Sequence, residues 1–212
     1  MKKSLFFILF LLVLTGSFYY TLIEHESSSL SEQSLVINKP YISVVKSLAT
    51  KESLEKIVEE NDGILRSKQW QNFTIDVPKR ILKIKEYKLE GVLYFTVEKH
   101  DKDLGEIKLP FEQNVNIDKN IFVIKTNLKE SQKNVKAYNK IIEIYPSKEE
   151  PFKTSLNIKS ELKVSKIIPF FFKDFMDKKV KENNEQDLNK LINNIRSASQ
   201  DTSPVITFKT NW

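Results

Sequence analysis

Cysteine is absent from this chain. No disulfide framework, thiolate zinc site or catalytic thiol can form, and no lipid-carrying cysteine follows the N-terminal apolar segment, which excludes a bacterial lipoprotein. Glycine is nearly absent as well. Gly16, Gly63, Gly91 and Gly105 are the only four, and neither GxGxxG nor GxxxxGK(S/T) occurs, so no glycine-rich phosphate loop is present. The two histidines, His25 and His100, stand far apart in sequence. His100 sits in Glu98-Lys99-His100-Asp101-Lys102-Asp103, which reads as an exposed turn. No metal site, Ser/His/Asp triad or cofactor is therefore expected.

What is present fits an ordinary folded chain. Of 212 residues, 40% are hydrophobic and 29% charged, enough for one domain with a real core. The net charge is +6, from 34 basic and 28 acidic residues. The lysines are spread through nearly every segment on the polar side of alternating patterns. That is a solvated face and not a nucleic-acid footprint, which would cluster along one element. Attraction to anionic lipid head groups is the milder consequence. Asp76, Glu86, Glu98, Glu106, Glu112 and Glu161 fall mostly on the polar side of strand patterns, so they suggest no acid–base chemistry and no enzyme is expected.

The amino terminus carries Lys2 and Lys3, ten apolar residues from Leu5 to Leu14, then Thr15-Gly16-Ser17 and a second apolar stretch from Phe18 to Ile23. As a signal peptide it would be cleaved after the small residues. As an anchor, Leu5 to Ile23 is long enough to cross a bilayer core of about 30 Å, with Tyr19 and Tyr20 near the far interface. Thr15 and Ser17 match an A-x-A site poorly, so an uncleaved anchor over residues 1–23 is expected. The body would then be periplasmic or extracellular in the cell envelope, or secreted if the segment is cleaved. Residues 24–35, rich in Ser and Glu, read as a flexible tether, and 36–197 as the domain.

Within the domain, Tyr41 to Leu48 is β-prone. Thr50 can cap a helix carrying Leu54, Ile57, Val58 and Leu65, which Asn61-Asp62-Gly63 stops or breaks. From Phe73 to Val164 the pattern predicts an antiparallel meander: strands up to Pro78, over Ile81–Leu89, Val92–Glu98, Ile107–Glu112, Asn120–Thr126, Val135–Tyr145 and Phe152–Val164. The last alternates strictly, with Phe152, Thr154, Leu156, Ile158, Ser160, Leu162 and Val164 on one face and polar residues on the other. Phe170 to Arg196 is helical in two halves whose apolar stripes are offset, and Asn183-Asn184 is the expected bend. Residues 198–212 form a tail able to add an edge strand at Val205–Phe208.

The fold class expected is α+β, a curved antiparallel sheet wrapped around a long C-terminal helix. This order of strand, helix, about six strands and long helix resembles the helix-grip fold of the START-like (SRPBCC) superfamily, which includes polyketide cyclase-like and lipid-transfer proteins. The resemblance covers residues 36–197 and concerns element order and amphipathicity. It implies a hydrophobic ligand, such as a lipid, held between sheet and helix.

The candidate cavity wall is Phe152, Leu156, Ile158, Leu162, Phe171, Phe172, Phe175 and Met176, with Thr154 and Ser160 as orienting hydroxyls. The alternative is that these residues fill a solid core. The run from Ile167 to Phe172 cannot all face inward on one helix and is a second candidate, a membrane contact, against a plain packed junction. Membrane-tethered binding of a hydrophobic molecule is the function expected. Its rival is a non-enzymatic envelope assembly protein that presents a β-rich domain to a protein partner.

Overall fold

The computed structural model describes residues 21–62, 64–76, 88–101, 105–118, 120–132, 134–150, 152–199 and 207–208. The N-terminal apolar run to Tyr20, most of the strand expected over Ile81–Leu89, and most of the tail lie outside the described residues. The elements are β1 (Leu22–Ile37), α1 (Tyr41–Leu48), α2 (Lys51–Asp62), β2 (Ile64–Asp76), β3 (Lys88–Asp101), β4 (Gly105–Asp118), β5 (Ile121–Leu128), β6 (Val135–Pro146), β7 (Thr154–Pro169), a 3₁₀ turn (Phe170–Phe172), α3 (Lys173–Ala198) and β8 (Thr207–Phe208). They build one antiparallel sheet in the order β2-β3-β4-β5-β6-β7-β1-β8, with the helices against its inner face.

The largest correction to the sequence expectation is β1. Residues 24–35, expected as a tether, form the body of a sixteen-residue strand paired with β7 from Leu22↔Pro169 to Ile37↔Thr154. Leu22 and Ile23, counted above in the anchor, begin this strand. Its inner face is Ser27, Ser29, Ser31 and Gln33 before Leu35 and Ile37, all buried. Its outer face carries Glu26 and Glu32, which pair with Lys163 and Lys159 of β7. The alternation is there, but small polar residues occupy the dry side, so a hydrophobicity pattern does not register it.

Residues 41–48 form a helix where a strand was expected. Tyr, Ile and Val favour strands, yet Tyr41, Val44, Val45 and Leu48 are the buried residues and follow i, i+3, i+4, i+7 spacing. Burial of that stripe outweighs propensity. In α2 the Thr50 hydroxyl accepts the Ser53 amide at 3.1 Å, the expected cap. The helix stops at Asp62, so Leu65 packs from β2 instead. β2 is an edge strand with two register shifts, beside Ser67 and Asn72 at φ 51° and 52°. Such bulges bend an edge and blunt it against further pairing. Gly91 is required opposite: a Cβ there would meet the Phe73 ring at 2.5 Å.

Helix α3 runs unbroken through Asn183-Asn184, where a bend was expected. Val180, Asn184, Leu188, Leu191, Ile192 and Ile195 form a single buried stripe. Asn184 is part of it. Its amide nitrogen lies 3.1–3.3 Å from Ser160 O, Ser31 Oγ, Ser29 O and Ser29 Oγ, and its oxygen accepts the Ser160 hydroxyl at 2.7 Å. A buried amide with such partners pins helix to sheet, whereas an unpartnered one would be expelled.

Asn184→Ala strands the Ser29, Ser31 and Ser160 groups without that partner. It should destabilise the fold by about 3 kcal/mol. Urea unfolding should show a lowered midpoint at unchanged slope, and an unchanged midpoint would refute the clamp.

Candidate functional site

The inner face of the sheet is apolar except for one row. Following the register, Ser31 of β1 faces Ser160 of β7, Ser160 faces Lys140 of β6, Lys140 faces Thr126 of β5, and Thr126 faces Gln113 of β4. All five are buried, Lys140 and Gln113 at 3% exposure each. On one side of this row lies the larger core cluster, with Ile158, Ile142, Ile124 and Val115 in adjoining register beneath α1, α2 and α3. On the other lies a smaller aromatic cluster, where Phe111 stacks on Phe95 at 5.4 Å and meets Tyr138 edge-on at 5.5 Å.

A polar row buried between two apolar clusters has to be satisfied. Ser160 bonds Asn184, and Gln113 Nε2 donates to Thr126 Oγ1 at 3.2 Å. The Lys140 ammonium stands 5.0 Å from the Tyr138 ring centre. Gln113 Oε1 has no hydrogen-bond partner among the described residues, nor has Gln33 Oε1, next to the row on β1. An unpaired buried carbonyl costs about 1–3 kcal/mol. Of this row the sequence-based site held only Ser160, although the signal for the others is present. Phe111-Gln113-Val115, Ile124-Thr126-Leu128, Tyr138-Lys140-Ile142 and Ile158-Ser160-Leu162 each interrupt an apolar phase once, and pairing register brings the interruptions into line.

The eight residues expected to line a cavity do not share one wall. Leu156 and Ile158 are fully buried in the larger cluster, where Leu188, Leu191, Ile192 and Ile195 of α3 fill the space above the sheet. Leu162 packs half-buried against the smaller cluster, and Met176 is half-buried. Phe152 is 78% exposed, on the β6–β7 loop. Phe171, Phe172 and Phe175 are exposed too. Geometry explains this: Phe175 lies five residues before Val180, roughly 140° around the helix from the buried stripe. The expected hydroxyls are engaged as well, Thr154 with the Lys39 carbonyl at 2.6 Å and Ser160 with Asn184.

Two depressions open elsewhere. A crevice of about 110 Å³ lies between Val45, Ala49 and Thr50 of the α1–α2 region and Ile75, Leu89 and Ile117 of the sheet. A groove of about 490 Å³, open to solvent, is lined by Asn38, Glu149, Glu150, Phe152 and Lys153. His100 is in β3, its backbone register-paired with Glu106, not in a turn. Among the described residues no His, Asp and Glu side chains gather as a metal site, and no helix is long and apolar enough to cross a membrane.

The two halves of α3 are held differently. Toward its C-terminus the contacts are mainly aliphatic, with one amide bond from Gln33 Nε2 to Asn189 Oδ1 at 3.3 Å. Toward its N-terminus they are polar: the Ser27 hydroxyl donates to Asp177, and His25 Nε2 lies 2.8 Å from the same carboxylate. The Ser27 hydrogen bond holds the Asp177 carboxyl below its ordinary range, against a smaller upward push from burial and with help from His25.

No family model and no curated protein matches this sequence. Its fold is similar to several solved structures. The Zhui aromatase/cyclase from Streptomyces sp. R1128 matches at 10% identity and TM-score 0.48, over 82% of this chain and 94% of that one. A protein from Thermus thermophilus matches at 11% identity and TM-score 0.40, over 83% and 97%. A START superfamily protein from Mycobacterium smegmatis matches at 11% identity and TM-score 0.36, over 83% and 97%. The likeness is one of chain course. The described elements run as a strand, two short helices, six antiparallel strands and a long helix across the sheet, close to the order expected from the sequence.

Because the folded Asp177 value is depressed, the stabilisation it carries is complete above the ordinary Asp value of about 3.9. It fades as pH falls through the folded value. Asp177→Asn should therefore melt below the parent at neutral pH and converge with it in strong acid. A melting difference that does not change with pH would refute the Ser27–Asp177–His25 contact.

Proposed function

We propose that this chain binds a hydrophobic molecule with one oxygenated end, a carboxyl or hydroxyl, on the inner face of its sheet, and does so while tethered to a membrane by its N-terminal segment. The observation that carries the first part is the buried polar row. Lys140 and Gln113 stand at 3% exposure inside a core whose neighbouring rows are apolar, and Gln113 Oε1 has no partner among the described residues. A hydroxyl head group supplies a donor through its O–H, whereas an ionised carboxyl has none to give and its oxygens accept instead from the Lys140 ammonium and the second Gln113 Nε2 hydrogen. The smaller cluster beside the row, which holds no α3 side chain, suits an aliphatic tail, at about 0.8 kcal/mol per buried methylene.

Entry requires part of α3 to lift. Its N-terminal half is held to β1 by the polar contacts of Asp177 and Asn184, and its C-terminal half by close-packed aliphatic side chains. The polar half parts more cheaply, since water replaces its bonds once it opens. The chemistry is sequestration or transfer, without bond making. The tether is supported by the sequence of residues 1–20: two lysines, then an apolar run. The domain would then stand on the periplasmic or extracellular side.

The test uses the full chain and parinaric acid, a fluorescent fatty acid. Saturable binding is expected, with Lys140→Met and Gln113→Leu each weakening it at least about tenfold, or 1.4 kcal/mol. Both variants should still unfold in one cooperative urea transition, which separates loss of binding from loss of structure. Absence of saturable binding, or variants that bind as the parent does, would defeat the proposal.

A further inference from the structure

Four phenylalanines crowd the junction of β7 and α3 without entering the core. Phe170, Phe171, Phe172 and Phe175 are 56%, 56%, 45% and 58% exposed. Their rings touch in sequence, with centroids 5.5, 5.0 and 6.2 Å apart. Ile167, 67% exposed, extends the surface along β7. A contiguous apolar surface of this kind marks a contact site.

Its position says with what. The Phe170 amide donates to the Thr21 carbonyl at 2.9 Å, and Leu22 pairs with Pro169. The apolar run Leu5–Tyr20 therefore joins the fold beside these rings. No spacer intervenes, because the residues that would have formed one are inside β1. The run is also short. Leu5–Tyr20 is sixteen residues, against the ~20 that a bilayer core of about 30 Å asks of a spanning helix. A tether with so little length would hold its exit point at the head groups, and the rings with it. The surrounding charge suits that position. Lys166 precedes the aromatic run, and Lys173, Lys178, Lys179 and Lys181 follow it in the first turns of α3. Against these five stand Asp174, an Asp177 already engaged by Ser27 and His25, a Glu182 paired with Lys178 and Lys179, and Glu24, which lies opposite Ile167 on β1 and accepts the Ser165 hydroxyl.

We propose that the face formed by Ile167 and the four phenylalanines docks into the surface of the bilayer entered by the N-terminal segment, with its lysines against anionic head groups. This rests on the tether proposed above. It fixes the orientation of the domain: the polar, openable half of α3 faces the lipid, so a hydrophobic molecule passes between bilayer and sheet without crossing water.

The absence of cysteine makes the test direct. The full chain carrying Phe171→Cys, Phe175→Cys or, as control, Lys190→Cys on the exposed far half of α3 is labelled with an environment-sensitive fluorophore. It is then reconstituted in phosphatidylcholine vesicles containing a nitroxide-bearing lipid, with and without phosphatidylglycerol. Loss of fluorescence is expected at 171 and 175 but not at 190, and a larger loss with phosphatidylglycerol. Labels at 171 and 175 that remain bright and open to aqueous iodide would overturn the docking. So would labels shielded from iodide yet untouched by the nitroxide, which would mean that residues of this chain, a second copy or another protein cover the face. Flotation of the same vesicles separates the two proposals. A chain that floats with bright labels keeps its tether and loses its docking face, and a chain that does not float loses both.

Discussion

The amide of Asn184 is the contact on which the arrangement of helix and sheet depends. A long helix can lie across a sheet by burying aliphatic side chains, and the second half of α3 does so with Leu188, Leu191, Ile192 and Ile195. Where it crosses the first half of β1, the strand offers only Ser27, Ser29 and Ser31. Serine is small enough to let the helix approach, but it brings hydroxyls and backbone carbonyls that need partners away from water. One asparagine reaches oxygens on both β1 and β7 and so ties the helix to two strands whose pairing closes the fold. Asp177 and Asn189 make further polar contacts to β1 on either side of it.

This division of α3 into a polar half and an aliphatic half continues across the sheet. The row from Ser31 through Ser160, Lys140 and Thr126 to Gln113 runs from the helix clamp into the middle of the core and separates two apolar clusters. Buried polar groups are tolerated when fully bonded and costly when not. The Gln113 carbonyl is one of four buried polar side-chain atoms without a partner among the described residues, and the one that lies within this row. The Phe surface at the N-terminal end of α3 belongs to the same half of the molecule. The softer end of the helix, the exit toward the N-terminal segment and the exposed aromatics are all gathered at one end of β1 and β7.

Much of the meander was legible in the sequence because alternation is a local property. β4 to β7 fall close to where the pattern predicts, and the cap at Thr50 and the unequal roles of the two halves of α3 could be read from spacing. β1 and α1 could not. In β1 the dry positions are serines, dry only because a helix 150 residues downstream lies on them, and in α1 a strand-forming composition is overruled by which side chains find a core. The candidate site suffered in the same way. Phe171, Phe172 and Phe175 are apolar enough for a cavity wall, but their angle to the Val180–Ile195 stripe sets them outside.

The sequence by itself determined the kinds of chemistry open to this protein. Without cysteine, a glycine-rich loop or paired histidines, it lacks the residues for thiol, P-loop and two-histidine chemistry, and its patterns set out an antiparallel sheet and a C-terminal helix after an N-terminal apolar run. Tertiary structure alone decided what the sequence left scattered. Strand register brought Gln113, Thr126, Lys140 and Ser160 into one buried row, because cross-strand neighbours are set by pairing and not by distance along the chain. The pairing of β1 with β7 then set Thr21 beside Phe170, which brings the start of β1 and the exposed aromatic face to the same end of the molecule.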